Sequence, residues 1–269
     1  HMTLLTRRWR FACLVRSARD FCINLRMLWS IFFVLYTGKK KIAIMAAIEN
    51  MYLKMPKKYQ NKSYNPHFAM HGLSLPLRGL VAAPSGTGKT NLVMNLLRVF
   101  SGTFKTIHII TRNADEPLYN WVRDAAPDIV IREGLENTPK LDDFDKKENH
   151  LIIWDDLVLE GKVGLKNVQE MYIRARKLNV SCIFISQSFY ETPKIIRQNC
   201  SWIALLKLSG AREANMIMSE NGLGVTREKL LAIYEHATAE KLQPLLIDLA
   251  SPVESKFRRG FELIDIDAI

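Results

Sequence analysis

The sequence has no C-x-x-C pair, no zinc-ligand pattern, no internal repeat and no apolar run long enough to cross a bilayer. Its four cysteines, Cys13, Cys22, Cys182 and Cys200, are widely spaced. That spacing argues against a disulfide framework and suits free thiols in a reducing compartment. His67 and His71 stand four apart, but no Glu or Cys completes a metal site, so they read as surface or packing residues. The apolar run from Met27 to Tyr36 falls short of the about 20 residues that span a membrane. It has the length of a signal-peptide core, yet Lys39-Lys40-Lys41 follow it and no small-residue cleavage site does. An interfacial helix is one reading of residues 3–44. An upstream extension, with translation naturally starting at Met45-Ala46-Ala47, is another. His1-Met2 reads as a cloning remnant.

Acidic residues are nearly missing from the first quarter of the chain. Residues 1–62 hold 13 Lys and Arg against only Asp20 and Glu49, so the whole formal excess of +11 sits there. The remaining residues, 63–269, carry 25 charges of each sign. The expected organisation is a basic extension over 1–62, able to meet nucleic acid or an anionic surface, followed by one domain over 63–269. Within it, residues 50–76 read as a polar lead-in.

What the chain does have is centred on Leu80-Val81-Ala82-Ala83-Pro84-Ser85-Gly86-Thr87-Gly88-Lys89-Thr90. A short apolar strand runs into this loop. A helical pattern follows from Asn91 to Phe100, with apolar residues at 92, 93, 96, 97 and 100. Strand, glycine-rich loop and helix in that order are the context of a phosphate-binding P-loop. Gly86 and Gly88 let backbone N–H groups turn inward, and the helix aims its positive end at the same anion. Pro84, Ser85, Gly86, Thr87, Gly88, Lys89, Thr90 and Asn91 are the candidate nucleotide-binding residues. Lys89 would reach the β- and γ-phosphates, and the Thr90 hydroxyl would ligate Mg²⁺. Ala83 stands where such loops usually have glycine.

From Leu77 onward strands and helices alternate, which predicts an α/β domain with a mostly parallel sheet flanked by helices on both faces. Strands are expected at 106–111, 129–131, 150–154, 180–186, 201–206 and 244–248. Helices are expected at 116–125, 165–178, 193–199, 211–220 and 226–236, with 133–149 a charged surface loop and Gly161 and Gly164 flanking a short one. The strand His150-Leu151-Ile152-Ile153-Trp154 ends in Asp155-Asp156, about 65 residues past the P-loop. Asp155 would hold Mg²⁺, and Asp156 would orient or deprotonate an attacking water. Gln187, at the carboxyl end of the 180–186 strand, is placed to sense γ-phosphate or position that water.

This set resembles the genome-packaging ATPases of large DNA viruses and virophages, the poxvirus type, within the HerA–FtsK division of P-loop motors. The residues that carry the resemblance are Ala83 to Thr90, the segment from Thr111 to Glu116-Pro117-Leu118-Tyr119, Ile152-Ile153-Trp154-Asp155-Asp156, Tyr172-Ile173-Arg174-Ala175-Arg176-Lys177, and Phe184-Ile185-Ser186-Gln187-Ser188. It covers about residues 70–250.

The resemblance implies a RecA-like core that binds ATP and Mg²⁺. It implies a ring of five or six subunits that drives double-stranded DNA into a preformed capsid, alongside capsid or portal proteins. The expected setting is the infected cell's cytoplasm, at the virus factory, and the virion. It also implies an arginine that reaches a neighbour's nucleotide, for which Arg174 and Arg176 are the candidates and Arg197 the reserve. The family often has His where Lys177 stands. Three other readings remain: a DNA pump or helicase of the same superfamily not tied to a capsid, a small-molecule P-loop kinase, and a nucleotide-binding capsid component without turnover.

Overall fold

The computed structural model describes residues 50–56, 64–158, 161–208 and 212–269. The basic, partly apolar stretch over 3–44 and the candidate start at Met45 lie outside the described residues. Contacts divide the chain into units 1–60 and 61–269. The described part of the first holds one short helix, α1 (Met51–Lys54).

The second unit opens with α2 (Phe68–His71) and is built on nine strands. In chain order come β1 (Arg78–Ala82), α3 (Lys89–Val99), β2 (Thr106–Thr111), α4 (Pro117–Ala125), β3 (Ile129–Glu133) and β4 (His150–Asp155). They are followed by α5 (Gly161–Arg174), β5 (Val180–Ser186), α6 (Lys194–Asn199), β6 (Trp202–Leu205), α7 (Arg212–Glu220) and α8 (Arg227–Ala237). The chain closes with β7 (Leu245–Asp248), β8 (Phe257–Arg259) and β9 (Glu262–Leu263). The strands lie in the order β3-β2-β4-β5-β1-β6-β7-β8-β9. Pairing is parallel from β3 through β6 and antiparallel beyond.

Both faces of the sheet are covered, so its central strands are mostly apolar and every residue of β4 and β5 is buried. Alternate residues feed two cores. On one face Leu80, Ile152, Trp154, Cys182 and Phe184 pack with Val168 and Tyr172 of α5, Ile217 of α7 and Ile233 of α8. On the other, Val81, Ile153, Ile183 and Ile185 pack with Leu92, Val93 and Leu96 of α3 and Tyr119 of α4. The apolar stripe at 92, 93, 96 and 99 thus seats α3 on the sheet. Trp202 lies so close over β1 that a Cβ at Gly79 would sit 2.3 Å from its ring. His71 is buried; its Nδ1 accepts the Leu73 N–H at 3.0 Å, its Nε2 lies 3.2 Å from Asn65 Oδ1, and its ring meets Phe100 edge-on. Burial, then the His67 and Arg258 charges, lower its pKa to about 4, which makes it a packing residue.

The architecture is the α/β sheet the alternation predicts, with four local differences. The helix expected at 165–178 begins at Gly161 and gives way to a 3-10 turn at Ala175–Leu178, which Asn179 closes in the left-handed conformation. Gly161 and Gly164 therefore lie in its first turn rather than in a loop. The 133–149 stretch is anchored by buried Leu135 and Phe144. The C-terminal segment, which shows no strand pattern, adds β8 and β9. Among the described residues no helix is long and apolar enough to cross a membrane.

Candidate functional site

Three neighbouring strands, β4, β5 and β1, end side by side. The strand before the glycine-rich loop is paired with β5, and β5 separates it from the Asp155 strand. The Ala83 N–H continues the pairing with the Ser186 carbonyl at 3.0 Å. The loop then turns on Pro84, whose carbonyl accepts the Thr87 hydroxyl at 2.7 Å. Gly86 has φ 76° and Gly88 has φ 105°, backbone settings that L side chains rarely adopt. Gly88 caps α3, so the free N–H groups of its first turn face the loop. Ser85 and Gly86 are exposed, while Thr87, Gly88, Lys89, Thr90 and Asn91 are half-buried around the concavity.

At the end of β4, Asp155 is 4% exposed. Its Oδ2 accepts the Tyr119 hydroxyl at 2.6 Å, and its Oδ1, also buried, has no protein partner. Burial raises its pKa to about 6. The Glu116 and Asp156 carboxylates push the same way, and the Tyr119 hydrogen bond and the Lys89 ammonium oppose them. Burial, then Asp155, pushes the Tyr119 hydroxyl up in turn.

Asp156 follows with φ 57°, a conformation Asp tolerates better than most residues, and its N–H donates to the Ile185 carbonyl at 3.3 Å. The turn aims its carboxylate at the end of β5. There Gln187 Nε2 donates to Asp156 Oδ1 and Oδ2 at 3.0 and 3.1 Å. A recess of about 480 Å³ opens beside them, lined by Pro84, Ser85, Gln187, Ser188, Leu208 and Arg212.

The arginines are placed differently. Arg174 is exposed and pairs with Glu170 one turn earlier. Arg176 is also exposed, in the turn that precedes β5. Both lie at the amino end of that strand, whereas Gln187 lies past its carboxyl end. Seven extended residues separate the two ends by about 20 Å. The fold therefore gathers Lys89, Thr90, Asp155, Asp156 and Gln187 at one edge and leaves Arg174 and Arg176 at the other. Arg197 must be dropped as a reserve: it is buried, pairs with Glu220 at 2.7 Å and donates to the carbonyls of Tyr190 and Thr192.

Two site neighbours were not assigned a role from sequence. Tyr119 sits in a segment that carries the family resemblance, but nothing local links it to a residue 36 positions on. Leu242 reaches the glycine-rich loop from the far end of the domain: a Cβ at Gly88 would sit 2.3 Å from its Cδ2.

No curated protein sequence matches the chain. Among solved structures, the genome packaging NTPase B204 from Sulfolobus turreted icosahedral virus 2, in complex with sulfate, is similar at 12% identity and a TM-score of 0.52. The match covers 72% of this chain and all of that one. EssC (ATPases 2 and 3) from Geobacillus thermodenitrificans is similar at 10% identity and a TM-score of 0.50, over 72% of this chain and 42% of that one. At these identities the likeness is one of fold. A family model described as "Poxvirus A32 protein" matches residues 67–250, well over half of the chain and the whole of the cluster from Pro84 to Gln187. The chain therefore belongs to the poxvirus A32 protein family.

Proposed function

We propose that the protein is an ATP-hydrolysing motor that moves double-stranded viral DNA into a preformed capsid. The observation that carries the reading is the convergence, at the ends of β4, β5 and β1, of a glycine-rich anion loop, a buried carboxylate with one oxygen unpaired, and an Asp–Gln pair in hydrogen bond. Membership in the A32 family directs that chemistry to genome packaging.

In this reading the backbone N–H groups from Ser85 to Asn91 and the amino end of α3 hold the phosphates, and Lys89 spans the β- and γ-groups. Thr90 Oγ1 and the unpaired Asp155 Oδ1 are the residues that would hold Mg²⁺, an orphaned buried carboxylate oxygen being suited to a cation. An ion held there would supply charge neutralisation for the phosphate oxygens. Asp156 accepts the proton of the attacking water, and Gln187 fixes the orientation of that carboxylate. Water as the attacking group suits this pair better than a kinase acceptor does.

Transition-state charge also needs a cation: Arg212 of the same subunit lines the recess beside Gln187, and the family resemblance adds an arginine from a neighbour. Arg174 and Arg176, at the opposite end of β5, can supply it only to a neighbour, which suits the ring of five or six subunits that the family resemblance implies. Residues 63–269 form the motor, and the basic 1–62 segment or the ring's pore meets DNA phosphates. Capsid or portal proteins are the further partners. The work is done in the infected cell's cytoplasm.

The test is steady-state ATP hydrolysis with and without long double-stranded DNA, at two salt concentrations. DNA should stimulate hydrolysis, and more strongly at low salt. Lys89→Ala should lower both rates by about 10²-fold or more with the fold intact. Hydrolysis indifferent to DNA at both salts would remove the motor reading, and normal turnover by Lys89→Ala would remove the loop's role.

A further inference from the structure

Strands β2, β4 and β5 lie side by side and begin in line: Thr106 is paired with His150, and His150 with Val180. Their amino ends are at the end of the sheet opposite the glycine-rich loop, one strand length or about 20 Å from it. The stretches that lead into them, residues 101–105, 145–149 and 177–179, carry Lys105, Lys146, Lys147 and Lys177, all exposed. Residues 63–269 balance their charges in number, but this rim does not: its four lysines face only Asp145 and Glu148 in the same stretches. Asp145 Oδ1 is taken by the Lys147 N–H at 3.0 Å. Among the described residues none of the four ammonium groups is paired with a carboxylate.

Unpaired surface lysines are usually solvated one by one. Here the backbone that carries them is stitched together by two buried asparagines. Asn149, 7% exposed, donates through Nδ2 to the carbonyls of Tyr64 and Thr103 at 2.7 and 3.2 Å. Its own carbonyl accepts the Lys105 N–H at 2.8 Å. Asn179, 3% exposed, donates through Nδ2 to the Lys146 carbonyl at 2.7 Å, and its carbonyl accepts the His150 N–H at 3.1 Å. The three loops are thus held at fixed spacing before any ligand arrives, which lowers the ordering cost of binding. A cavity of about 320 Å³ opens among them, lined by Tyr64, Lys105, Lys147 and Glu148. In the sequence the basic segment runs straight into Tyr64, through Lys57, Lys58 and Lys62.

We propose that this rim is a track for the phosphates of double-stranded DNA, with one strand's backbone crossing the loops before β2, β4 and β5. Three adjacent strands span about 10 Å. Phosphates of one DNA strand advance by about 3.4 Å each along the axis, so the rim meets about three of them. Lysine ammonium groups are point charges without a rigid fork, which suits a backbone that must slide past. Contacts to phosphate carry no base information, so the grip is indifferent to sequence. The assignment rests on the DNA-motor reading above and names the surface of the subunit that takes the DNA, at the far end of the sheet from the nucleotide.

The test is binding of the full chain to a long fluorescent duplex over a range of salt concentrations. The unmodified protein is compared with Lys105→Gln/Lys147→Gln and with a control, Lys166→Gln/Lys194→Gln, which removes the same charge from exposed positions on α5 and α6. Each phosphate contact contributes about 0.9 to the slope of log affinity against log salt. The rim variant should lose about 2 from that slope and bind unrelated sequences more weakly alike. Its ATP hydrolysis without DNA should be unchanged, and its stimulation by DNA reduced. The control should keep the slope of the unmodified protein. An unchanged slope in the rim variant, or an equal loss in the control, would overturn the proposal. Loss of DNA-free hydrolysis in the rim variant would overturn it as well, by tying these lysines to the ATP site or to the fold. Failure of the unmodified protein to bind DNA at low salt would instead strike down the motor reading, and this proposal with it.

Discussion

Asp155 is pulled in two directions. A cation ligand must be ionised and partly unpaired, and a buried carboxylate resists both. Tyr119 resolves half of the conflict by donating to Oδ2 and leaving Oδ1 free. Tyr119→Phe removes that donor and should destabilise the fold by about 1–3 kcal/mol, since a buried acceptor loses its partner. It should also raise the Mg²⁺ concentration needed for half-maximal hydrolysis. Denaturant unfolding and a Mg²⁺ titration check the two effects, and an unchanged Mg²⁺ requirement would remove Tyr119 as a positioning residue. The pH dependence has a definite sign. Below about pH 4 Asp155 is protonated in both folded and unfolded chains. Between there and its raised value of about 6, the unfolded chain ionises first, so stability falls as pH rises, and above 6 the penalty is constant. Asp155→Asn cannot ionise. In EDTA its stability relative to the unmodified protein should therefore rise by at most about 3 kcal/mol between pH 4 and pH 6, and level off above. A difference that stays flat with pH would show that burial does not set this carboxylate.

At the scale of elements, the informative contrast is between two arginine-bearing turns. Arg176 follows α5 in an exposed turn, and Arg197 sits in α6 with its guanidinium buried on Glu220. Sequence alone ranks both as basic residues near helix ends. Arg197→Ala would leave Glu220 without its partner and should lose about 3 kcal/mol or more of stability. Arg176→Ala should leave stability within about 0.5 kcal/mol of the unmodified protein yet lower hydrolysis by about 10³-fold or more. Mixing it with a subunit that lacks Asp156 but keeps Arg176 should restore activity, because each ring then holds complete sites made of two partners. Thermal melts and hydrolysis of the mixtures measure both. No recovery on mixing would count against an arginine acting between subunits. The run of β5 underlies this prediction, since it puts Gln187 past the carboxyl end of the strand and Arg176 before its amino end.

For the whole molecule, charge and topology divide the labour. The excess of +11 lies in residues 1–62, and the rest of the chain is balanced. A charge-balanced domain can grip DNA phosphates only by concentrating a few basic side chains, and the proposed ring would do this by repetition. Most of the sheet and one edge of the site were legible in the sequence. Lys89 and Thr90 share one contiguous loop, and Asp155, Asp156 and Gln187 each end a continuous apolar run, so local pattern was enough to mark them. The β8–β9 hairpin was not legible: three- and two-residue strands carry no period, and they exist because β7 offers them an edge. By itself, the sequence determined the glycine-rich loop, the paired carboxylates, the polar residue after β5 and the charge asymmetry, because each is a property of neighbouring residues. Only the tertiary structure decided that β5 lies between β1 and β4, that Tyr119 holds Asp155, that Leu242 covers Gly88, and that Arg197 is occupied while Arg176 is free of the site. Those are contacts between distant segments, set by strand order and register and by the packing of the two cores, and no local periodicity encodes them.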